Sequence, residues 1–459
     1  MNHNTNMKKT LVLTLALGLA GASSLTAGTV DVYITGSTAF RANVYTACQK
    51  LFVGASPTIY YGDANHGGAG SGFNSKTASW VMTGTPITSL TNLQNNTLNI
   101  HGLFTGSVQG CQTVEQGVKL TFPAPSGTPG GNCNAYVTNT PTIGFSDASS
   151  YSTPYPATGN YAEEQVAVQP FVIAKSLASV GAVTNINNVS WEQLSFGIPN
   201  GRIPLSSWTG HSADTNTFVY LMQRTKDSGT RRTETAGEYF QFNDPVGIYI
   251  YDYTNNFFYT PTTLAATLTG ASPNGVVGAA GLNNANLNWG YGYVGGGDIA
   301  TSLGNPNAAN QAIGVLSMAD SRTVNGSVNW ATVVSFNGFW PTAAGAGIHG
   351  NTGTNDYSPI TLGYYPIWGI EVLVLPINPG LIADQDITQT QLGDNLTPGT
   401  FMGVFNAQSF NNGGALTLGS IENEIELSKT GSPGATAIRL SDMGNSRPSV
   451  GGTIYPPFQ

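Results

Sequence analysis

Three segments of the chain each show the pattern of a β-strand, a turn of small residues and then a helix. Residues 30–34 are rich in β-branched and aromatic side chains and precede a Gly-Ser-Thr turn, after which a helical pattern runs over 39–51. A second unit joins a strand at 98–100 to a helix at 111–117, and a third begins with a strand at 217–223. Strands that alternate with helices are typical of α/β proteins with mostly parallel sheets. The sequence therefore predicts that fold class.

Each of the three helices begins beside a serine or threonine. The first turn of a helix leaves about four backbone N–H groups without intrahelical partners, and the helix dipole adds partial positive charge there. Such an end binds oxyanions without a lysine. A serine or threonine is also an ordinary N-cap residue, and each junction taken alone fits that plain role. If the three ends converge in one cleft, they form an anion site built from neutral donors.

Two charged residues strengthen the prediction of an anion site. Arg224 ends the third strand, just before Ser228, Gly229 and Thr230, and a guanidinium can hold two oxygens of an oxyanion in a fork. Asp147 stands at the tip of a buried strand. A carboxylate suits an anion that carries a proton, because it accepts that proton in a hydrogen bond, whereas it repels a fully ionised oxyanion. The alternatives are a surface arginine and an aspartate that caps the next turn.

The charge balance excludes whole classes of protein. The chain of 459 residues carries 16 Lys and Arg against 24 Asp and Glu, for a net charge of −8. This excludes a basic protein that binds nucleic acid by broad phosphate neutralisation. Because 40% of the residues are apolar and 10% aromatic, the chain is not wholly disordered. Its length suggests two to three domain-sized units.

The N-terminus has the layout of a secretory signal peptide. Lys8 and Lys9 precede an apolar run at 11–19, which small residues such as Ala27 follow. The run is shorter than the roughly 20 apolar residues of a membrane span. Because no cysteine stands directly after it, a lipid anchor is not expected. We expect residues 1–27 to be a signal peptide and the mature protein to be periplasmic or extracellular.

The chain has three cysteines, Cys48, Cys111 and Cys133. An exported protein folds in an oxidising compartment, and Cys111 and Cys133 flank a short stretch rich in Pro and Gly. We expect a disulfide between those two and a buried Cys48 in a helix, although the sequence does not fix the pairing. The Cys and His spacing does not resemble a zinc site, and no metal or cofactor is expected.

Long stretches rich in Gly, Asn, Thr and Ser cover residues 54–88, 260–304 and 343–356. Loops of this length are uncommon inside a compact domain, so we interpret them as surface insertions. Two apolar segments at 166–173 and 365–376 each suit a strand that crosses between two lobes. This pattern predicts a bilobal protein whose first lobe is discontinuous in sequence.

Four motifs together resemble the phosphate-binding periplasmic proteins of ABC transporters. They are Thr35-Gly36-Ser37-Thr38-Ala39-Phe40, Phe104-Thr105-Gly106-Ser107-Val108-Gln109-Gly110, Gly144-Phe145-Ser146-Asp147-Ala148, and Arg224 with Asp227-Ser228-Gly229-Thr230. The resemblance spans about residues 30–376. It implies a bilobal type II periplasmic-binding-protein fold, with two mostly parallel sheets and a ligand cleft between the lobes. Lobe I would comprise residues 28–168 and return at 369–459 with a C-terminal extension, and lobe II would comprise 169–368.

The same resemblance implies a set of ligand contacts. In chain order these are Ser37, Thr38, Ala39, Phe40, Ser107, Ser146, Asp147, Arg224, Ser228, Gly229 and Thr230. The first four would offer backbone N–H groups and a hydroxyl, and Ser107 would cap the second helix towards the ligand. Asp147, with Ser146 beside it, would accept the phosphate proton, and Arg224 would pair with the anion. The last three would donate from the opposite lobe.

The implied function is binding and not catalysis. The protein would be an exported monomer that captures inorganic phosphate, or a similar tetrahedral oxyanion, for uptake by an ABC permease, with no nucleic-acid partner. The chain departs from the family pattern at Ala39, where a hydroxyl residue is common, at Lys226, and in its long insertions. A surface or envelope protein that kept this fold without a transport role is the main alternative.

Enzymatic interpretations fit the sequence less well. Residues 144–148 are one glycine short of a nucleophile elbow, and a serine hydrolase also needs a rigidly held histidine. His211 and His349 are the downstream candidates, and the second lies in a Gly-rich stretch. Glu163 and Glu164 cannot act as a glycosidase pair on a strand, since adjacent side chains point to opposite faces.

Overall fold

The computed structural model describes residues 28–63, 76–90, 93–157, 159, 161–176, 186–237, 246–252, 257–259, 292–293, 295–304, 311–321, 333–342, 357–376 and 438. The predicted signal peptide at 1–27 lies outside these residues, as does most of the predicted C-terminal extension. Among the residues described, none of the helices combines the length and the hydropathy that a membrane crossing requires.

Strands and helices alternate along most of the described chain. The strands are β1 (Thr29–Gly36), β2 (Thr58–Tyr61), β3 (Ser79–Gly84), β4 (Thr97–Leu103), β5 (Leu120–Pro123), β6 (Tyr136–Asn139), β7 (Ile143–Ser146), β8 (Tyr161–Lys175), β9 (Asn188–Val189), β10 (Arg202–Pro204), β11 (Phe218–Met222), β12 (Ile250–Asp252), β13 (Phe257–Tyr259), β14 (Gln311–Ser317), β15 (Val333–Phe336) and β16 (Trp368–Pro376). The helices are α1 (Arg41–Gln49), α2 (Ser107–Glu115), α3 (Trp191–Asn200), α4 (Ser206–Thr209), α5 (Gly229–Gly237), α6 (Gly296–Leu303), α7 (Met318–Ser321) and α8 (Ser358–Thr361). Short 3-10 turns lie at Val53–Ala55, Ser150–Ser152 and Ser212–Asn216.

One mixed sheet of 12 strands organises the part of the molecule that the structure describes. Its order is β10-β11-β14-β8-β16-β7-β1-β4-β3-β2, with β15 also paired to β8 and β9 paired to β15. We call β2, β3, β4, β1 and β7, with α1 and α2, the first half. We call β10, β11 and β14, with α5 and α6, the second half. The strands β8 and β16 lie between the two halves, as predicted for the apolar segments at 166–173 and 365–376.

The α/β class is confirmed, but the pairing differs from the two mostly parallel sheets that we expected. Among the strands that the structure describes, β1 pairs parallel with β4 and β7, β11 pairs parallel with β14, and the short β9 pairs parallel with β15. The crossing strands pair antiparallel with each other and with their neighbours on either side. Two strands that are joined by a helical crossover run parallel to each other. The strands β8 and β16 instead run between the halves in opposite directions and join them into one sheet. The boundaries predicted for the two lobes stay a prediction.

Each half has its own apolar core. The first packs large side chains such as Phe40, Trp80 and Phe145 against β1 and β4. The second gathers around β8, β11 and β14 and includes Leu221 and Trp368. Two cores on a shared sheet fit the predicted bilobal arrangement.

The predicted insertion at 54–88 is wrong in part. It contains β2 and β3, and β3 pairs antiparallel with β4 and places Trp80, Val81 and Met82 in buried positions. These three consecutive apolar residues are the sequence feature that indicates a buried strand in this otherwise Gly- and Asn-rich stretch. Helix α6 likewise lies within the predicted insertion at 260–304, and the stretch at 343–356 lies outside the described residues.

The predicted disulfide is absent, since all three cysteines are free and buried. Cys111 packs in the cluster that holds Val114 and Val374. Cys133 lies in the β5–β6 connection, where its backbone N–H donates to the carbonyl of Tyr61 over 2.8 Å. The thiols therefore belong to separate surroundings despite their closeness in sequence. Cys48 lies buried in α1, as predicted.

Candidate functional site

Turns from three parallel strands meet at one edge of the first half. Because β1 runs parallel to β4 and β7, the carboxyl ends of the three strands lie side by side, and Gly36 pairs with Phe145. The chain leaves β1 at Thr38, enters α2 at Ser107 after β4, and leaves β7 at Asp147. All three side chains are buried, at 5%, 2% and 1% exposure. The topology thus collects three of the predicted contacts in one place.

Asp147 is the centre of this group and links the two halves. Its carboxylate accepts hydrogen bonds from the hydroxyl of Ser107 and from that of Thr230, the latter at 3.4 Å between Oγ1 and Oδ2. The Thr233 hydroxyl donates to the Asp147 backbone carbonyl over 3.2 Å. Since Thr230 and Thr233 belong to α5 of the second half, Asp147 is held from both sides.

Arg224 faces the same point from the second half. Its Nη2 donates to the Thr38 hydroxyl over 3.1 Å, and its Nε donates to the Tyr293 carbonyl over 3.2 Å. The side chain is 3% exposed. Burial lowers the pKa of Arg224 from its usual value, and the charges of Asp320, Asp147 and Asp298 offset part of that effect. Arg224 is therefore a buried cation that contacts the first half directly.

The N-terminus of α5 is aimed at Asp147. The Ser228 hydroxyl accepts the backbone N–H of Arg231 over 3.2 Å and so caps the helix. The next residue, Gly229, lies so close to Asp147 that a Cβ built on it would stand 1.6 Å from the Asp147 Oδ1. The backbone N–H of Val108 in α2 donates to the Asp227 carbonyl over 2.9 Å. Backbone and hydroxyl donors of the two helix starts thus face each other across the junction of the halves.

The remaining residues of the predicted ligand site have other hydrogen-bond or packing partners. The Ser37 hydroxyl accepts the N–H of Phe40 over 3.2 Å, and the Phe40 ring belongs to the first core. Ala39 packs into the second core, so its methyl group bridges the halves. The Ser146 hydroxyl donates to the Ala148 carbonyl over 2.5 Å. The sequence predicts that Ser107 caps α2, but the N-cap residue is Gly106. Ser107 stands inside the first turn of the helix, and its hydroxyl donates to Asp147.

Sequence reasoning missed several acidic residues around the group. Asp320 and Asp298 act on Arg224 electrostatically from α7 and α6, and Glu371 lies fully buried on β16. Burial raises the pKa of Asp298 to about 7. A signal for Glu371 was present, because it is the one charged residue in the apolar segment at 365–376. The two aspartates follow Gly-rich or small-residue turns that gave no comparable signal.

The surroundings of Asp147 raise the pKa of its carboxyl group. Burial raises its pKa, while the Ser107 hydroxyl, the Arg224 charge and the Thr230 hydroxyl lower it in part. Within the described part of the chain, no group of three or more His, Cys, Asp and Glu side chains is arranged to hold a metal ion. The group therefore combines one buried guanidinium, several hydroxyl and amide donors, and a carboxylate acceptor.

Comparisons with known proteins return structures but no sequence relatives. No family model matches the chain, and no curated protein matches it. An ABC-type phosphate transport receptor from Vibrio cholerae is 14% identical, with 75% of this chain and 86% of that chain covered and a TM-score of 0.36. PstS from Borrelia burgdorferi is 13% identical, with 77% and 90% covered and a TM-score of 0.30. Because the likeness at these TM-scores carries no argument, the function has to be inferred from the geometry of the chain's own residues.

Proposed function

We propose that this protein captures inorganic phosphate, or a closely similar protonated tetrahedral oxyanion, between its two halves. The observation that carries the proposal is the meeting of Arg224 and Asp147 from opposite halves. Arg224 reaches Thr38 of the first half, and Thr230 of the second half reaches Asp147. A ligand between Arg224 and Asp147 would be bound by both halves at once.

The chemistry of the group supports this ligand class. A guanidinium pairs with anionic oxygens, and the helix N-terminus at Gly229 adds backbone donors and partial positive charge. An ionised Asp147 accepts hydrogen bonds and cannot donate one, so it suits an oxyanion that still carries a proton. Phosphate carries one at neutral pH, and sulfate does not.

Phosphate is expected to raise the melting temperature of the purified protein, because a ligand that binds only the native state stabilises it. At a phosphate concentration 100 times the dissociation constant, the stabilisation is about 2.7 kcal/mol. Differential scanning fluorimetry measures the shift, with sulfate at equal ionic strength as the control. If millimolar phosphate and sulfate produce the same shift, or none, the site does not bind phosphate specifically.

The substitution Asp147→Asn is expected to narrow the preference for phosphate over sulfate by roughly tenfold or more, as one charge-assisted hydrogen bond is lost. The amide of asparagine can donate to a fully ionised oxyanion, which the carboxylate repels. Competition calorimetry with both anions gives the ratio. Asp214→Asn is the matched control, since Asp214 accepts from Thr209 in a peripheral turn. An unchanged ratio in Asp147→Asn would remove Asp147 from the ligand contacts.

We further propose that the protein is exported as a monomer and delivers its ligand to an ABC permease. The proposal extends the ligand assignment and rests on the signal peptide predicted at 1–27. Phosphate-dependent uptake in cells with and without this protein measures the role. Binding without any effect on uptake would point to an envelope protein that has no transport role.

A further inference from the structure

Glu371 interrupts the apolar sequence of β16 at a bulge. The register of β16 against β8 shifts between Glu371 and Val372, and Val372 pairs antiparallel with Ser146 of β7. In an antiparallel pair, the residue before Val372 lies opposite the residue after Ser146. Glu371 and Asp147 therefore adjoin the last pair of these two strands, and the Asp147 charge acts on Glu371.

The carboxyl group of Glu371 is buried without a hydrogen-bond partner. The residue is 0% exposed, and neither carboxyl oxygen is hydrogen-bonded within the described part of the chain. An ionised carboxylate in such a place loses its hydration without compensation, which strongly disfavours the charged form. A neutral carboxylic acid avoids most of that penalty.

Glu371 and Asp147 differ in what surrounds them. Asp147 accepts two hydroxyl hydrogen bonds and faces the Arg224 guanidinium, which favours its ionised form. Burial raises the pKa of Glu371 well above its usual value, and the Asp147 carboxylate raises it further. The nearby Ser37 hydroxyl, which does not reach hydrogen-bonding geometry, lowers the Glu371 pKa only in part. Two carboxyl groups this close do not both ionise readily. The environment thus leaves the charge on Asp147 and the proton on Glu371.

The other elements packed on β16 do not neutralise Glu371. They carry titratable residues, namely Cys111 and Glu115 on α2, Tyr161, Glu163, Glu164 and Lys175 on β8, and Arg231, Arg232 and Glu234 on α5. Arg231 donates to the Arg224 carbonyl over 3.1 Å, and Glu163 accepts from Ser149 and Ser150. Arg231 and Glu163 are therefore committed to partners other than Glu371.

We propose that Glu371 is a second carboxyl group of the anion site, held protonated beside Asp147, and that its O–H donates a hydrogen bond to the bound oxyanion. This inference rests on the proposed function. Asp147 then accepts the proton of the oxyanion, and Glu371 supplies an uncharged donor from the strand between the halves. The affinity for phosphate depends on the Glu371 proton, and a bound anion strengthens the hold on that proton.

The test compares the phosphate affinity of the wild-type protein and of Glu371→Gln by calorimetry, at a series of pH values from mildly acidic to alkaline. Glutamine keeps a donor at every pH, whereas the Glu371 donor is lost when it ionises. We expect the dissociation constant of the wild-type protein, divided by that of the variant, to increase with pH by up to about tenfold per pH unit. The titration of phosphate itself cancels in this ratio. Glu163→Gln, the same change on β8, is expected to give a constant ratio.

A flat ratio for Glu371→Gln, together with normal phosphate binding by the wild type, overturns the inference and leaves the proposed function intact. If the wild type binds no phosphate, the proposed function fails and the inference fails with it. Infrared spectroscopy of the wild-type protein provides a second test that needs no folded variant. We expect a protonated-carboxyl C=O band that shifts when phosphate is added, and the absence of such a band at neutral pH overturns the inference.

Discussion

Arg224→Ala is expected to lower the phosphate affinity at least about 30-fold, because truncating one partner of a buried, hydrogen-bonded charge pair costs about 2–5 kcal/mol. Arg224 is the buried cation that faces Asp147, Asp298 and Asp320. Its removal takes away the positive charge that meets the ligand and leaves the three carboxylates to repel it. Calorimetry on the purified variant measures the loss.

Arg202→Ala is the matched control for this experiment. The same charge is removed, but the Arg202 guanidinium lies over the Phe218 ring, 4.0 Å from its centroid, at the edge strand β10. Its phosphate affinity should stay within a few-fold of the wild type, since rim charges act weakly through solvent. Equal affinities of Arg224→Ala and wild type would mean that the ligand does not meet Arg224.

Gly229→Ala is expected to reduce phosphate affinity by roughly 100-fold or more. A Cβ at this position would stand 1.6 Å from the Asp147 Oδ1 and 2.7 Å from the Ser107 Oγ, so α5 has to move away from the first half. The shift breaks the alignment of at least two donors with a charged ligand, each worth about 1.5–3 kcal/mol. Calorimetry again gives the affinity, and the melting temperature reports the accompanying loss of stability.

Gly297→Ala is the control for the added methyl group. Gly297 lies in α6, where a Cβ would meet only the Asp320 Oδ1 at 3.8 Å, an ordinary van der Waals distance. Alanine is also the better helix former, so this variant should bind phosphate normally and be at least as stable as the wild type. Normal binding by Gly229→Ala would show that the two halves need not approach each other at α5.

Much of the fold could be predicted from short-range patterns. The alternation of strand, small-residue turn and helix gave the α/β class, and the apolar segments at 166–173 and 365–376 located β8 and β16. The sheet topology could not be predicted, because pairing of β8 with β16 and β14 depends on contacts between segments distant in the chain. The prediction of an insertion at 54–88 is wrong in part because it follows the Gly and Asn content and not the three consecutive apolar residues from Trp80 to Met82.

The candidate site was predictable where chemistry and topology agree. Thr38, Ser107 and Asp147 follow parallel strands, and such strand ends meet at one edge of a sheet. Individual hydrogen bonds were not predictable, since the direction of the Ser107 hydroxyl depends on Asp147 forty residues away. The predicted Cys111–Cys133 disulfide is wrong because closeness in sequence does not set the side-chain directions that a disulfide requires.

We infer that a single tetrahedral oxyanion is held between Arg224 and the N-terminus of α5. A crystal structure of the protein grown with arsenate, whose arsenic atom is located by anomalous scattering, locates this ligand. We expect one strong anomalous peak within hydrogen-bonding reach of the Arg224 guanidinium, the Asp147 carboxylate and the Gly229 backbone N–H. A map with its strongest peak elsewhere, or with none between the two halves, would contradict it.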